Sequence, residues 1–290
     1  MQKGLLGSAI LTQLLEKGFE VTVFTRSQSS IRDLPTEVHV AEVDYSSLSS
    51  LADALKGKDA VVSTITSAAI PEQKIIIDAA IQAGVKRFIP ADFGALSTDP
   101  SAKELPIHIP TAQIRQYLDE KARDGQIEYS VFSNGIFLEL IFSFPFLFDH
   151  ANRKVELLDN GEHPFSVTRV TSIAKAVAGL LKNPEGTKNR IFYIHDMATT
   201  QAQLVKLVKR HSSPEPQWTE TKLDAGVELQ KHLESFARDG FNLENGAGLL
   251  RAAILGGKYA SEYKAVENER FGLELWTEKE LDAFVASKIE

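Results

Sequence analysis

The sequence predicts an α/β protein built on a doubly wound parallel sheet, with a smaller lobe contributed by its C-terminal half. Three observations lead there. Short β-branched runs alternate with amphipathic helical stretches as far as residue 133, glycine, proline, aspartate or serine bounds each run, and the alternation breaks after Asn134. Strands that alternate with helices imply right-handed crossovers and a parallel sheet covered on both faces.

Taken in order, Leu5 to Lys17 carries Leu6, Ile10, Leu14 and Leu15 at helical spacing, with Gly18 as a C-cap. Glu20 to Thr25, Val38 to Val43 and Ala60 to Ile65 read as buried strands. Leu48 to Leu55 makes a short helix between them, and Glu72 to Ala83 a longer one ended by Gly84. Arg87 to Pro90 is the next strand, followed by a helix from about Pro110 to Arg123 and the strand Tyr129 to Ser133. Beyond it come a Phe-rich segment, Ile136 to Phe148, and a turn at Asp159-Asn160-Gly161. A helix from Ser172 to Leu181, a strand from Arg190 to Ile194 and a mostly helical remainder complete the chain. A soft boundary near residue 135 separates a sheet domain, 1–135, from a mixed, mainly helical region, 136–290, interleaved with the sheet and lying over its C-terminal edge.

Composition excludes several function classes. Thirty-two basic residues against thirty-nine acidic ones give a net charge of −7, so no overall field gathers a phosphate backbone and nucleic acid is not expected as a direct partner. The lack of cysteine rules out disulfides, thiolate metal sites and a cysteine nucleophile, and makes the cytoplasm the expected location. The apolar stretches are too short or too interrupted to span a bilayer, and no leader pattern precedes Leu5. Seven scattered histidines form no His-Glu-x-x-His pattern, and Ser133 lacks a Gly-x-Ser-x-Gly elbow, so neither a metal site nor acyl transfer is expected.

In doubly wound folds a glycine-rich turn lets a pyrophosphate approach the N-terminus of the first helix, where unpaired N–H groups and the helix dipole favour anions. Gly4-Leu5-Leu6-Gly7 reads as the tail of such a turn; equally, it reads as a small-residue helix start with Gly7 selected for close packing. Arg26 ends the following strand, where an acidic residue would grip a ribose hydroxyl and an arginine favours a 2′-phosphate. That points to NADP(H), against the alternative of a solvated surface arginine.

The run Glu72 to Gly94, with Ala83-Gly84-Val85-Lys86-Arg87-Phe88-Ile89-Pro90 and Asp92-Phe93-Gly94, resembles the isoflavone reductase-like, or NmrA-like, branch of the atypical short-chain dehydrogenases, in its fungal form. Supporting similarity runs from Gly4 to the strand Arg190 to Ile194, and the last ninety or so residues match only loosely. The resemblance implies an NAD(P)-binding Rossmann domain and reduction of small, often phenolic or polyketide-like molecules of secondary metabolism. It assigns Gly4, Leu5, Leu6 and Gly7 to the pyrophosphate and Arg26 to the 2′-phosphate. Ser63 and Thr64 would lie along the ribose, Phe93 near the cofactor, and Asn134, Gly135 and Phe137 beside the nicotinamide and substrate. Phe93 and Phe137 also read as plain core aromatics.

Two departures from the family stand out. The first glycine of the turn and the strand before it would lie upstream of Met1, so the sheet is expected to lack its central strand. The family's reductases also use a lysine at the start of the helix after the fifth strand, and the register puts Thr111 there. A threonine hydroxyl can hydrogen-bond a substrate but cannot act as an acid near neutrality. Nearby His108 is the candidate for proton transfer, with a loop histidine as the alternative. Tyr117 and Lys121 match the Tyr-x-x-x-Lys spacing of ordinary short-chain dehydrogenases, but six residues, about 240° of helix, separate Tyr117 from Thr111, so both cannot face one cofactor.

The expected function is therefore an NADP(H)-dependent reductase acting on a small aromatic metabolite. Two alternatives stay open: a dinucleotide-binding regulator with a protein partner and no turnover, and a repurposed, cofactor-free lyase or isomerase.

Overall fold

A computed structural model describes residues 4–27, 34–103 and 105–289. The first half alternates as the sequence implies: α1 (Leu5–Glu16), β1 (Thr22–Thr25), β2 (His39–Glu42), α2 (Leu48–Leu55), β3 (Ala60–Val62), α3 (Gln73–Gln82), β4 (Arg87–Ile89), α4 (Ile109–Arg123) and β5 (Glu128–Ser133). Strands β3, β4 and β5 pair in parallel, and β9 (Arg190–Tyr193) joins β5 from the second half of the chain. Successive strand residues point to opposite faces. Ile89 and Phe132 accordingly pack under α1 and α5 (Val170–Lys182), whereas Phe88 and Val131 pack against α2, α3 and α4.

Among the described residues the parallel sheet stands in two pieces, β2-β1 and β3-β4-β5-β9, and no strand pairs with both β1 and β3. The place of the first glycine and of a strand before it lies outside the described residues. Burial follows this division: β4 is buried throughout, while every residue of β3 and three of the four in β1 are only half-buried. The β1-β2 pair is held by side chains instead, with Phe24, Ala41 and Val43 packed into the cluster of Leu51, Ile76 and Ile77.

The second half contains more strand than its sequence suggested. After the short β6 (Ile136–Phe137) come β7 (Lys154–Leu158), β8 (Pro164–Thr168), β10 (Met197–Thr200) and β11 (Thr219–Leu223). β8 pairs with β6 and β10, and β7 with β11. The period-two burial of β7, in which Val155 and Leu157 are buried between exposed Lys154 and Glu156, carries a strand signal that its charged residues obscure. Helices α6 (Gln201–His211), α7 (Ala225–Asp239), α8 (Leu243–Leu255) and α9 (Glu278–Ile289) close a second core around Phe165, Val167, Leu204, Leu249 and Val285. No helix among the described residues is long and apolar enough to cross a membrane.

Strands paired on one side and half-buried should open locally at lower cost than the buried pair β4 and β5. Hydrogen exchange read by mass spectrometry should show the amides of β1 and β3 exchanging on the order of tenfold faster than those of Phe88 and Val131. Equal protection across the four strands would refute the division.

Candidate active site

The candidate site follows the C-terminal ends of the parallel strands. Gly4 is the N-cap of α1, extended and without a side chain to cap it, and Ser8 is the first residue bonded back along the helix, its N–H donating to the Gly4 carbonyl at 3.0 Å. The N–H groups of Leu5, Leu6 and Gly7 thus form the positive mouth of the helix. Leu5 is exposed and Leu6 buried. Gly7 faces the segment after β3: a Cβ there would stand 3.0 Å from Thr64 Oγ1, so an alanine would press on that side chain. Beside Thr64, the Ser63 hydroxyl is buried with no hydrogen-bond partner.

Arg26 follows β1 directly. Its guanidinium lies 5.6 Å from the centroid of the Tyr45 ring and 3.8 Å from the Glu72 carboxylate, beside a cleft of about 760 Å³ lined also by Glu42 and Asp44. The Tyr45 hydroxyl donates to the Phe24 carbonyl at 3.2 Å, and burial raises its phenol above the usual range. Asp44 accepts from the Ser46 hydroxyl and amide at 2.6 and 2.9 Å, which hold its carboxyl below the ordinary value.

Past β4, Asp92 is buried and pairs with Arg115 at 2.5 Å while accepting from the Ser97 hydroxyl at 2.6 Å. Burial raises its carboxyl, and the Arg115 guanidinium opposes that. Arg115 also donates to the Ser97 carbonyl, which seats α4 on the loop. Phe93 and Phe137 are half-buried against the core, Phe93 stacked on Phe132 with ring centroids 6.3 Å apart.

Asn134 and Gly135 turn the chain out of β5. Asn134 N–H donates to the Gly94 carbonyl at 3.1 Å, and its Oδ1 is buried without a partner. Gly135 has φ +68°, and a Cβ on it would lie 2.1 Å from the Ser166 carbonyl oxygen, so only glycine fits. Its N–H donates to the Tyr263 hydroxyl at 3.1 Å, which also contacts Ser133 Oγ at 2.8 Å. Burial pushes Tyr263 up to about 12. No motif marks Tyr263 in the sequence, since it reaches the turn from a loop 128 residues further on.

At the start of α4, His108 is the N-cap and Thr111 is buried on the first turn. The near-neutral pKa expected of His108 is not found. Burial, reinforced by Arg115, lowers it to about 4, and its Nε2 is buried without a partner. Tyr117 turns elsewhere, its hydroxyl donating to Asp78 on α3, with Lys121 Nζ 5.3 Å from its ring centroid. Among the described residues no cluster of metal-ligating side chains occurs.

Two measurements check this geometry. Gly135→Ala should cost about 3 kcal/mol or more, from a strained positive φ and overlap with Ser166, read by urea unfolding. A histidine lowered to about 4 in the fold and near 6.5 when unfolded takes up protons on unfolding, so its contribution is complete above pH 6.5 and lost as pH falls towards 4. The wild type should therefore lose on the order of 2–3 kcal/mol more than His108→Asn over that interval, and parallel profiles would exclude a buried neutral imidazole.

Residues 3–184 match the NAD(P)H-binding family. The chain is 31% identical over 239 residues to oxidoreductase aprR of Aspergillus flavus, covering 81% of this chain and 79% of that protein. It is 30% identical over 174 residues to isoflavone reductase homolog P3 of Arabidopsis thaliana, covering 58% of this chain and 55% of that one. Among solved structures, AtPrR2 with NADP⁺ and (+)pinoresinol superposes with a TM-score of 0.75 at 20% identity, covering 99% of this chain and 96% of that one. An isoflavone reductase gives 0.73 at 18% identity, covering 97% and 96%. The chain belongs to the NAD(P)H-binding family, as an oxidoreductase of its isoflavone reductase-like, NmrA-like branch.

Proposed function

We propose that the chain is an NADP(H)-dependent reductase of a small aromatic or polyketide-like secondary metabolite, acting in the cytoplasm. The observation that carries this reading is a set of buried polar atoms without partners. Ser63 Oγ follows β3, Asn134 Oδ1 follows β5, and Nε2 belongs to His108, the residue that precedes α4. Buried polar groups are ordinarily satisfied, and each orphan needs an explanation. A dinucleotide and substrate laid from the mouth of α1 across these strand ends would supply the missing partners, so the residues present fit NADP(H).

In this reading the amides of Leu5, Leu6 and Gly7 hold the pyrophosphate and Gly4 leaves the approach open. Arg26 holds the 2′-phosphate, and Ser63 and Thr64 contact the ribose. Phe93 walls the cofactor, while Asn134, Gly135 and Phe137 border the nicotinamide and the substrate. When bound, the cofactor supplies a hydride to the substrate. Thr111 hydrogen-bonds the substrate, and His108, neutral at physiological pH, orients a water that delivers the proton. Residues 1–135 form the nucleotide-binding part, and 136–290 the substrate-facing region.

A second reading, a dinucleotide-binding regulator with a protein partner, draws on one observation: Thr111 and a neutral His108 put no strong acid at the start of α4. One assay separates the two. NADPH should be consumed stoichiometrically with some member of a panel of aromatic ketones and enones, and Arg26→Ala should raise the KM for NADPH by about tenfold, as loss of a charged contact implies. Saturable NADPH binding without consumption would favour the regulator, and absence of binding in calorimetry would defeat both.

A further inference from the structure

The cleft beside Arg26 is poorly matched to the anion it is read as receiving. Among the described residues lining it, Arg26 is the one cation, against Glu42, Asp44 and Glu72. Asp44 accepts two hydrogen bonds from Ser46, which favour its ionised form. Glu72 ends a 3₁₀ turn, Ser67–Glu72, that runs directly into α3, and its side chain makes no capping bond. Its carboxylate stands 3.8 Å from the Arg26 guanidinium. Tyr45, anchored through its hydroxyl to Phe24, lies under the guanidinium at 5.6 Å from ring centroid to Cζ and limits where that group can go.

We infer that Glu72 is a specificity-determining residue that competes with the cofactor's 2′-phosphate for Arg26 and holds down the chain's preference for NADPH over NADH. The inference rests on the dinucleotide reading above. A phosphate monoester brings a charge of about −2 and needs the planar fork of the guanidinium, so it must displace the carboxylate already beside it. The displaced Glu72 then remains in the cleft as a like charge. A ribose with a free 2′-hydroxyl brings no charge and leaves the pair in place. Glu72 therefore weakens one cofactor and spares the other.

The test uses the full chain, wild type and Glu72→Gln, titrated by calorimetry with NADPH, NADH, and the fragments 2′,5′-ADP and 5′-AMP. Glu72 is half-exposed and caps nothing, so the variant should keep the wild-type Tm, and Glu72→Ala provides a second variant. Releasing an exposed pair should tighten NADPH and 2′,5′-ADP by about two- to fivefold while moving NADH and 5′-AMP less than that. Equal tightening of all four ligands, or no change in the NADPH to NADH ratio, overturns the inference while leaving the cofactor reading intact. If neither dinucleotide binds any of the proteins, the cofactor reading falls and the inference with it.

Discussion

The close approach of the Ser166 carbonyl to Gly135 is the constraint on which the candidate site depends. It requires a residue without a Cβ at positive φ, directly after the buried strand β5. Around this turn, Gly94 receives the Asn134 amide, the Thr168 hydroxyl donates to the Asn134 carbonyl, and Tyr263 receives the Gly135 amide. The parallel sheet and the second core are thus stitched together at this turn. The Asn134 side chain is held against this turn by its own Nδ2, which donates to the Gly135 carbonyl at 3.1 Å.

Two buried carboxylates reinforce the same edge. Asp92 is met by Arg115 and Ser97. Asp196 accepts from the Arg169 amide and Nε at 2.8 Å and from the Ser172 hydroxyl at 2.6 Å. Neither pair need add much net stability, because desolvation offsets the attraction. Removing one partner would be costly, since it leaves a charge without compensation. Their effect is to fix where α4 and α5 begin, and those two helices bring Thr111 and the lobe to the strand ends.

Much of the fold was legible because local pattern and tertiary demand agree. Leu6, Ile10 and Leu14 at helical spacing are among the residues that α1 buries, and Tyr129, Val131 and Phe132 with only small serines between and after them fit a strand covered on both faces. The strands of the lobe were less legible because they are half-polar or, like β8, begin with proline. Of the residues proposed for the site, Ser63, Asn134 and Gly135 are the ones the family motifs name. Tyr263 could not, because its contribution depends on a loop folding back over the sheet. The protonation of His108 was misjudged for a related reason: burial and Arg115 set it, and neither is visible in neighbouring sequence.

The division of the parallel sheet has a mechanical meaning. The β1-β2 leaf carries Arg26 and Tyr45 and joins the remainder through side-chain packing, whereas Asn134 and Phe137 sit on the hydrogen-bonded lattice of β5 and the lobe. Packed side chains can slide by fractions of an ångström where a ladder would hold rigid. On the proposed cofactor reading, the end of the groove assigned to the 2′-phosphate is therefore the more compliant one, and the end assigned to the nicotinamide the stiffer. On that reading, a substitution on the leaf alters the 2′-phosphate end without moving the turn at Asn134.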